Sequence, residues 1–285
     1  MTVKVAGGLT LALDGQRADL RLRAPRAIDL PETRCVESRR SDGELWRRHW
    51  DDNQQLVIDF VDVTLVEVAA DSITFDRELP GQVIEHIVLD HVLPLWLAWR
   101  GALVIHAGLA ARSGAGVALI GQSGAGKSTL TTHLGRHGWL VGGDDGIVIT
   151  PASTTTAEAI YASIRLTDES VDLLEFHDHT PIAGKHRLAL SSFDVLDSPV
   201  NLDVLAFVEP AQTTSVEPLG PAAAHAALFG STFHSDLDPA GALPRVFDDL
   251  GHVIEVTTAV RLHVGRGIDG LDAARFALEE ILDQR

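Results

Sequence analysis

Cysteine is almost absent from this chain of 285 residues: Cys35 stands alone, so no internal disulfide can form and a reducing compartment is the default expectation. Long apolar runs are missing too. The longest, Val92 to Trp99, is interrupted by Pro94 and falls well short of the roughly 18 residues a membrane helix needs. The N-terminus lacks the charged and apolar regions of a secretory signal, so a cytoplasmic protein is expected. Lysine is scarce. Of 23 basic residues only Lys4, Lys127 and Lys185 are lysines. Positive charge is in deficit overall, with a formal net charge of -17. Such a surface repels nucleic acid and anionic membrane, and neither is expected as a partner. Any anion that binds must meet a local concentration of cations.

What remains is the composition of an ordinary globular protein, 45% hydrophobic and 22% charged. Residues 1–80 read as strands and turns: Val3 to Val5 and Thr10 to Leu13 around Gly7-Gly8, then Leu56 to Phe60, Val63 to Val68 and Ser72 to Phe75. The charged stretch Arg34 to Asn53 reads as a helix or a surface loop. This β-rich N-terminal region is either a small domain or an extension of the main sheet. Residues 81–285 are expected to form the catalytic domain. Pro80-Gly81 opens a helical pattern through Ile84, Ile87, Val88, Val92 and Leu95, which Pro94 should kink or end.

Strands are expected at Ala102 to His106, Leu109 to Arg112 and Val117 to Ile120, then a helix from Lys127 to His137 stopped by Gly138. Trp139 to Val141 and Ile147 to Ile149 read as strands on either side of Asp144-Asp145. Further on, Ile160 to Leu166 reads as extended, Thr167 as the cap of a short helix, His177 to Arg187 as a mobile loop, and Leu202 to Val208 as a strand. Pro221 to Phe229 and Pro239 to Leu250 read as helices, Val253 to Val256 as a strand, and Asp269 to Gln284 as the last helix.

The chemistry concentrates at Gly121-Gln122-Ser123-Gly124-Ala125-Gly126-Lys127-Ser128, which fits the phosphate-binding (Walker A) pattern G-x-x-x-x-G-K-[ST]. Glycines let the backbone wrap with its N–H groups inward, and the following helix N-terminus adds to the anion site. Lys127 can reach the β- and γ-phosphates, and the Ser128 hydroxyl can ligate magnesium. These eight residues and Thr129 form the expected nucleotide-binding set, with ATP and Mg2+ as cofactors. Asp144 and Asp145 follow at a strand end. Adjacent carboxylates are costly unless a cation pairs with them, and phosphoryl acceptance by a hydroxyl needs a general base. The bland alternative is a solvated acidic turn before Gly146. His106 ends the strand preceding the phosphate-loop strand and would share its face, or be a satisfied structural histidine.

The string Val104-Ile105-His106-Ala107, strand, Gly-x-Ser-Gly-Ala-Gly-Lys-Ser, helix, Gly138-Trp139 and Asp144-Asp145 resembles the core of the HPr kinase/phosphorylase family and its smaller relatives. Some of those relatives resemble kinases of peptide or small-molecule serine hydroxyls, including tailoring kinases of ribosomal peptides. The resemblance implies an α/β fold, a P-loop kinase core of the HPr kinase/PEP carboxykinase type, with a mixed central sheet flanked by helices. It implies Asp144 as general base and Asp145 as magnesium ligand, two roles that could be exchanged. His106 would orient the γ-phosphate or its acceptor. Arg165, Lys185 and Arg187 would contact transferred phosphate or the acceptor. It also raises homo-oligomerisation.

The family's downstream Glu-x-Arg-Gly signature is replaced here by Tyr161-Ala162-Ser163-Ile164-Arg165-Leu166. That departure argues against phosphorylase activity and against HPr as substrate. The expected function is an ATP-dependent kinase acting on a serine-type hydroxyl of a peptide, protein or small molecule. Alternatives are an ATP-binding regulatory module or weak ATPase without a dedicated acceptor, and, less favoured, a carboxykinase-like lyase.

Overall fold

The computed structural model describes residues 2–6, 9–12, 19–32, 35–39, 43–51, 55–182, 184–233 and 242–284. Contacts divide the chain into two units, Met1–Gly101 with Phe233–Leu243, and Ala102–Thr232 with Pro244–Arg285. The division by contacts after Gly101 leaves the helical segment that follows Pro80 with the first unit.

The first unit is an eight-stranded sheet, β1 (Thr2–Val5), β2 (Leu9–Ala12), β3 (Leu20–Leu22), β4 (Cys35–Arg39), β5 (Leu45–Asp51), β6 (Leu56–Phe60), β7 (Thr64–Val68) and β8 (Ser72–Phe75), in the order β1-β2-β3-β8-β7-β6-β5-β4. The β1/β2 hairpin forms as expected, although Gly7, Gly8 and Leu13 lie outside the described residues. The helix-or-loop expectation for Arg34 to Asn53 is overturned, because Cys35–Arg39 and Leu45–Asp51 pair as antiparallel strands. Alternation there was hidden by charge. Arg47 and His49 lie on the buried side of β5, and the Arg47 guanidinium stacks 4.7 Å from the Trp46 ring centroid.

Pro94 does not end the next helix. α1 (Gly81–Ile87) runs through one wide π turn (Val88–Val92) into α2 (Leu93–Trp99). The Leu93 N–H bonds back to the Val88 carbonyl, five residues earlier. Proline lacks the N–H and crowds the carbonyl four residues back, and the wide turn spares both conflicts. Trp96 donates from Nε1 to the Ala69 carbonyl at 3.1 Å, and Trp99 to Asp51 Oδ1 at 3.0 Å, which ties the helix to the sheet.

The second unit is mixed α/β. Its main sheet comprises β9 (Leu103–Ile105), β10 (Ala107–Arg112), β11 (Ala115–Ile120), β12 (Leu140–Gly143), β13 (Ile147–Thr150), β14 (Thr156–Ala159), β18 (Val200–Pro210), β19 (Ser215–Pro218) and β20 (Thr258–Val264). At its centre β11 runs parallel to β18, which runs parallel to β20. Both faces of these strands are apolar, as expected of buried parallel pairs. Val117, Leu119, Val204, Ala206 and Val208 pack with α3 (Lys127–Arg136) and α7 (Gly267–Asp283) through Leu130, Leu134, Leu271, Ala274 and Leu278. Ala118, Ile120, Leu205 and Phe207 pack on the opposite face with α5 (Pro221–Phe229) and α6 (Ala242–Val256) through Ala224, Leu228, Val246, Leu250 and Val253.

Three further expectations are corrected. Val253 to Val256 is the end of α6 rather than a strand, because Val246, Leu250 and Val253 recur at helical spacing on one buried face. Ile160 to Leu166 is extended only at β15 (Arg165–Leu166), the preceding strand being β14. His177 to Arg187 contains a hairpin, β16 (His179–Ile182) and β17 (Lys185–Leu188), which forms a small sheet with β15. Thr167 does cap α4 (Asp168–Leu173), accepting from the Ser170 N–H at 3.3 Å. Pro239 lies outside the described residues.

Candidate functional site

β11 ends at Ile120, and the chain passes through the glycine-rich turn directly into α3. Gly124 and Gly126 sit at φ +82° and +92°, where a side chain would be strained. Gly121 is required by proximity: a Cβ there would come within 2.6 Å of the Val208 carbonyl oxygen on β18. No side chain caps the first turn of α3. Its N–H groups and dipole are therefore left to an anion.

Lys127 folds back over this turn. Its ammonium donates to the carbonyls of Gly121 at 2.7 Å and Gln122 at 3.0 Å, using two of its three donors. The side chain is buried, and desolvation pulls its pKa below the ordinary lysine value, with nearby Lys185 adding to the fall and Asp144 and Asp145 opposing it.

The aspartate pair follows β12, and the segment 161–165 lies alongside it. Asp144 N–H donates to the Ser163 carbonyl at 3.2 Å, and a Cβ on Gly143 would meet the Tyr161 carbonyl at 2.9 Å. Asp144 is buried. Its Oδ2 accepts from the Arg165 N–H at 3.0 Å, the Ser128 hydroxyl interacts with the carboxylate, and Oδ1 is buried without a hydrogen-bond partner. Burial, then the neighbouring Asp145 charge, push the Asp144 pKa up to about 7. Asp145 accepts from Arg165 Nε at 2.9 Å. His106 donates from Nδ1 to the Asp145 backbone carbonyl at 2.8 Å, which leaves Nε2 as an acceptor in the neutral ring. Burial and the Lys127 charge both hold the His106 pKa down and keep that ring neutral.

The residues singled out in the sequence are thus brought together around the turn, with two differences in detail. The Thr129 hydroxyl bonds Ser170 Oγ at 2.8 Å, at the cap of α4. Arg165, expected to hold phosphate, places its backbone N–H and its Nε on the two aspartates. Arg165 and Arg187 face each other across β15 and β17, and Lys185 lies two residues from Arg187, on the same strand face. Cations directly opposite one another on a sheet repel, so this face favours an anion. Sequence reasoning did not find Ser163, whose backbone holds Asp144 and whose buried hydroxyl has no hydrogen-bond partner. It also missed the Arg165 tether, because the chain separation hides it.

The donor set suits magnesium. Two carboxylates and a hydroxyl are hard oxygen ligands, and the orphaned Asp144 Oδ1 is a buried oxygen that a cation would satisfy.

No family model and no curated protein sequence matches the chain. Among solved structures it is similar to the Hpr(Ser) kinase/phosphatase from Coxiella burnetii, at 12% identity and a TM-score of 0.34, covering 64% of this chain and 97% of that one. At that identity and TM-score the likeness assigns no activity to this chain. No helix among the described residues is long and apolar enough to cross a membrane.

Proposed function

We propose that the second unit is an ATP-dependent kinase that transfers the γ-phosphoryl group to a serine-type hydroxyl of a peptide, protein or small molecule. One observation carries the reading: a buried carboxylate with an orphaned oxygen, Asp144, lies against Ser128 in the first turn of the helix that follows a phosphate-loop turn. A module that only binds nucleotide needs one magnesium ligand and has no use for a second, poised carboxylate beside it.

The turn and the N-terminus of α3 bind the phosphates, and the third donor of Lys127 is available to the γ-phosphate. Ser128 and Asp145 would hold magnesium, which would supply charge neutralisation to the phosphates. Asp144 takes the proton of the acceptor hydroxyl as that oxygen bonds to the γ-phosphorus and the bond to the β-bridging oxygen breaks, releasing ADP. A base with a pKa near neutrality suits that step. His106 has committed its Nδ1 proton, so its Nε2 orients a hydroxyl donor on the acceptor rather than the phosphate. Arg165 restrains both carboxylates, while Lys185 and Arg187 neutralise the transferred group.

A second assignment exchanges the aspartates. The contact between Ser128 and Asp144 favours it, because Ser128 and its carboxylate neighbour would then share the cation. Incubation with γ-labelled ATP and the products of neighbouring genes tests the function: label on a hydroxyl, abolished by Asp144→Asn, is the expected result. Retained Mg–ATP binding in that variant assigns Asp144 as base, and lost binding assigns it as metal ligand. Transfer at the wild-type rate would overturn both.

A further inference from the structure

α3 carries a second set of chemistry away from its N-terminus. His133 lies in the last turn of α3 and His137 caps its C-terminus four residues on, with the two ring centroids 4.4 Å apart. Asp272 approaches the pair from α7. His133 Nε2 lies 3.1 Å from Asp272 Oδ1, His137 Nε2 lies 3.9 Å from the same oxygen, and the three ligand atoms all fall within 4.8 Å of one another. A tetrahedral zinc ion with bonds of about 2.1 Å separates its ligand atoms by roughly 3.4 Å, so the observed spacing needs only small rotations.

The supporting contacts also fit. His137 donates from Nδ1 to the backbone carbonyl of His133 at 2.8 Å, which fixes the ring and turns Nε2 into the free lone pair. His133 is buried, whereas Asp272 and His137 are partly open, at 36% and 39% side-chain exposure, which gives a cation a way in. Arg275 Nη2 lies 3.4 Å from Asp272 Oδ1, yet its Nη1 is also held by both carboxylate oxygens of Glu279 at 3.2 Å. The guanidinium can therefore yield Asp272 without losing its other partner.

We propose that His133, His137 and Asp272 bind a zinc-class divalent cation that clamps α7 to α3, at a site distinct from the magnesium ligands. Two imidazoles and one carboxylate select zinc or its neighbours in the transition series over magnesium and calcium. On binding, the neutral His133 ring switches tautomer, its one proton leaving Nε2 for Nδ1, so that the Nε2 lone pair and the Asp272 carboxylate both face the cation. A fourth position is left for water. The competing account is a plain helix–helix contact in which His133 Nε2–H donates to Asp272, and it predicts no cation binding at all.

The test uses the full chain without a histidine tag, stripped with chelator, then titrated with Zn2+ in excess Mg2+. One equivalent should bind and raise Tm, and Co2+ should give visible bands typical of low-coordinate nitrogen and oxygen ligation. His137→Gln and Asp272→Asn should each weaken Zn2+ binding at least tenfold and abolish the rise in Tm, with stabilisation by Mg–ATP intact. These partly exposed positions keep the test valid should His133→Gln fail to fold. No stoichiometric Zn2+ binding, or equal binding in both variants, would overturn the proposal.

Discussion

Asp144→Asn should make the magnesium-free protein more stable while it removes phosphoryl transfer. Burial and Asp145 raise the Asp144 pKa from 3.8 to about 7, and a rise of that size corresponds to a folding penalty of about 4 kcal/mol once the unfolded chain ionises the group and the folded chain does not. The penalty is absent below about pH 4, grows as pH climbs towards 7, and is constant above that. Asparagine keeps the acceptor that Arg165 N–H needs, and its amide can donate to the Ser128 hydroxyl. Against this, one buried amide donor is left poorly paired and the attraction of Arg165 is lost, together costing about 2 kcal/mol. The net gain near neutral pH is about 1–2 kcal/mol, or roughly 2–8 °C in the Tm of the second unit. Scanning calorimetry with chelator, at pH values from 4 to 8, reads it directly. The transition of the second unit is identified by its shift with Mg–ATP. A variant less stable than wild type at pH 7.5, or a difference that does not change with pH, would refute the account of Asp144 as a buried, strained carboxylate.

Lys127→Ala should abolish the Mg–ATP shift in Tm, since it removes the cation proposed to bind phosphate and the link that closes the turn; a retained shift would remove the site. Gly108→Ala should cost about 1–3 kcal/mol in urea denaturation, because the new methyl would meet Thr131 Oγ1 at 2.6 Å, and Gly108→Ala with Thr131→Ala should recover part of that loss. Asp76 accepts from the Thr64 hydroxyl at 2.6 Å and the Leu65 N–H at 3.0 Å, and its contacts with Arg77 first, then these, lower its pKa to about 2. Its folded-state pKa is depressed, so Asp76→Asn should cost about 1 kcal/mol above pH 4, after allowance for solvent screening of the Arg77 side, and the difference should vanish as pH falls through 2. Four of the five tryptophans, Trp46, Trp50, Trp96 and Trp99, lie in the first unit, so fluorescence follows that unit's unfolding.

The glycine-rich turn was legible because everything that makes it is local: an apolar strand, glycines at the positions that need positive φ, and a helix that starts at once. Elements stabilised by distant partners were harder to read. β16 and β17 form a hairpin against β15, and nothing in the polar stretch His177 to Arg187 announces that pairing. β5 was obscured because a buried arginine and histidine occupy its inward positions. In Val253 to Val256 a short apolar run reads equally as strand or helix until the period from Val246 onward is counted. At the site, residue types were enough to nominate Asp144 and Asp145. That Arg165 holds both of them depends on a contact some twenty residues away in sequence. The pair His133 and His137 had a readable signal in its spacing, but Asp272 enters only through the packing of α7 on α3.

The chain carries a net charge of -17, yet two of its three lysines, Lys127 and Lys185, lie close enough to interact, and Arg165 and Arg187 are paired across β15 and β17 beside them. Folding gains nothing from gathering like charges, and every such contact costs stability in the free protein. The two aspartates offset part of that cost, but burial first, and then the neighbouring Asp145 charge, drive Asp144 towards protonation. Each cluster of like charge is therefore relieved by a ligand of opposite sign. A nucleotide phosphate would relieve the first and a divalent cation the second, and on the proposed reading Mg–ATP supplies both at once. It follows that the Tm shift with Mg–ATP should exceed the sum of the shifts with Mg2+ alone and with ATP in chelator. A merely additive result would mean that the two charge clusters do not share one site.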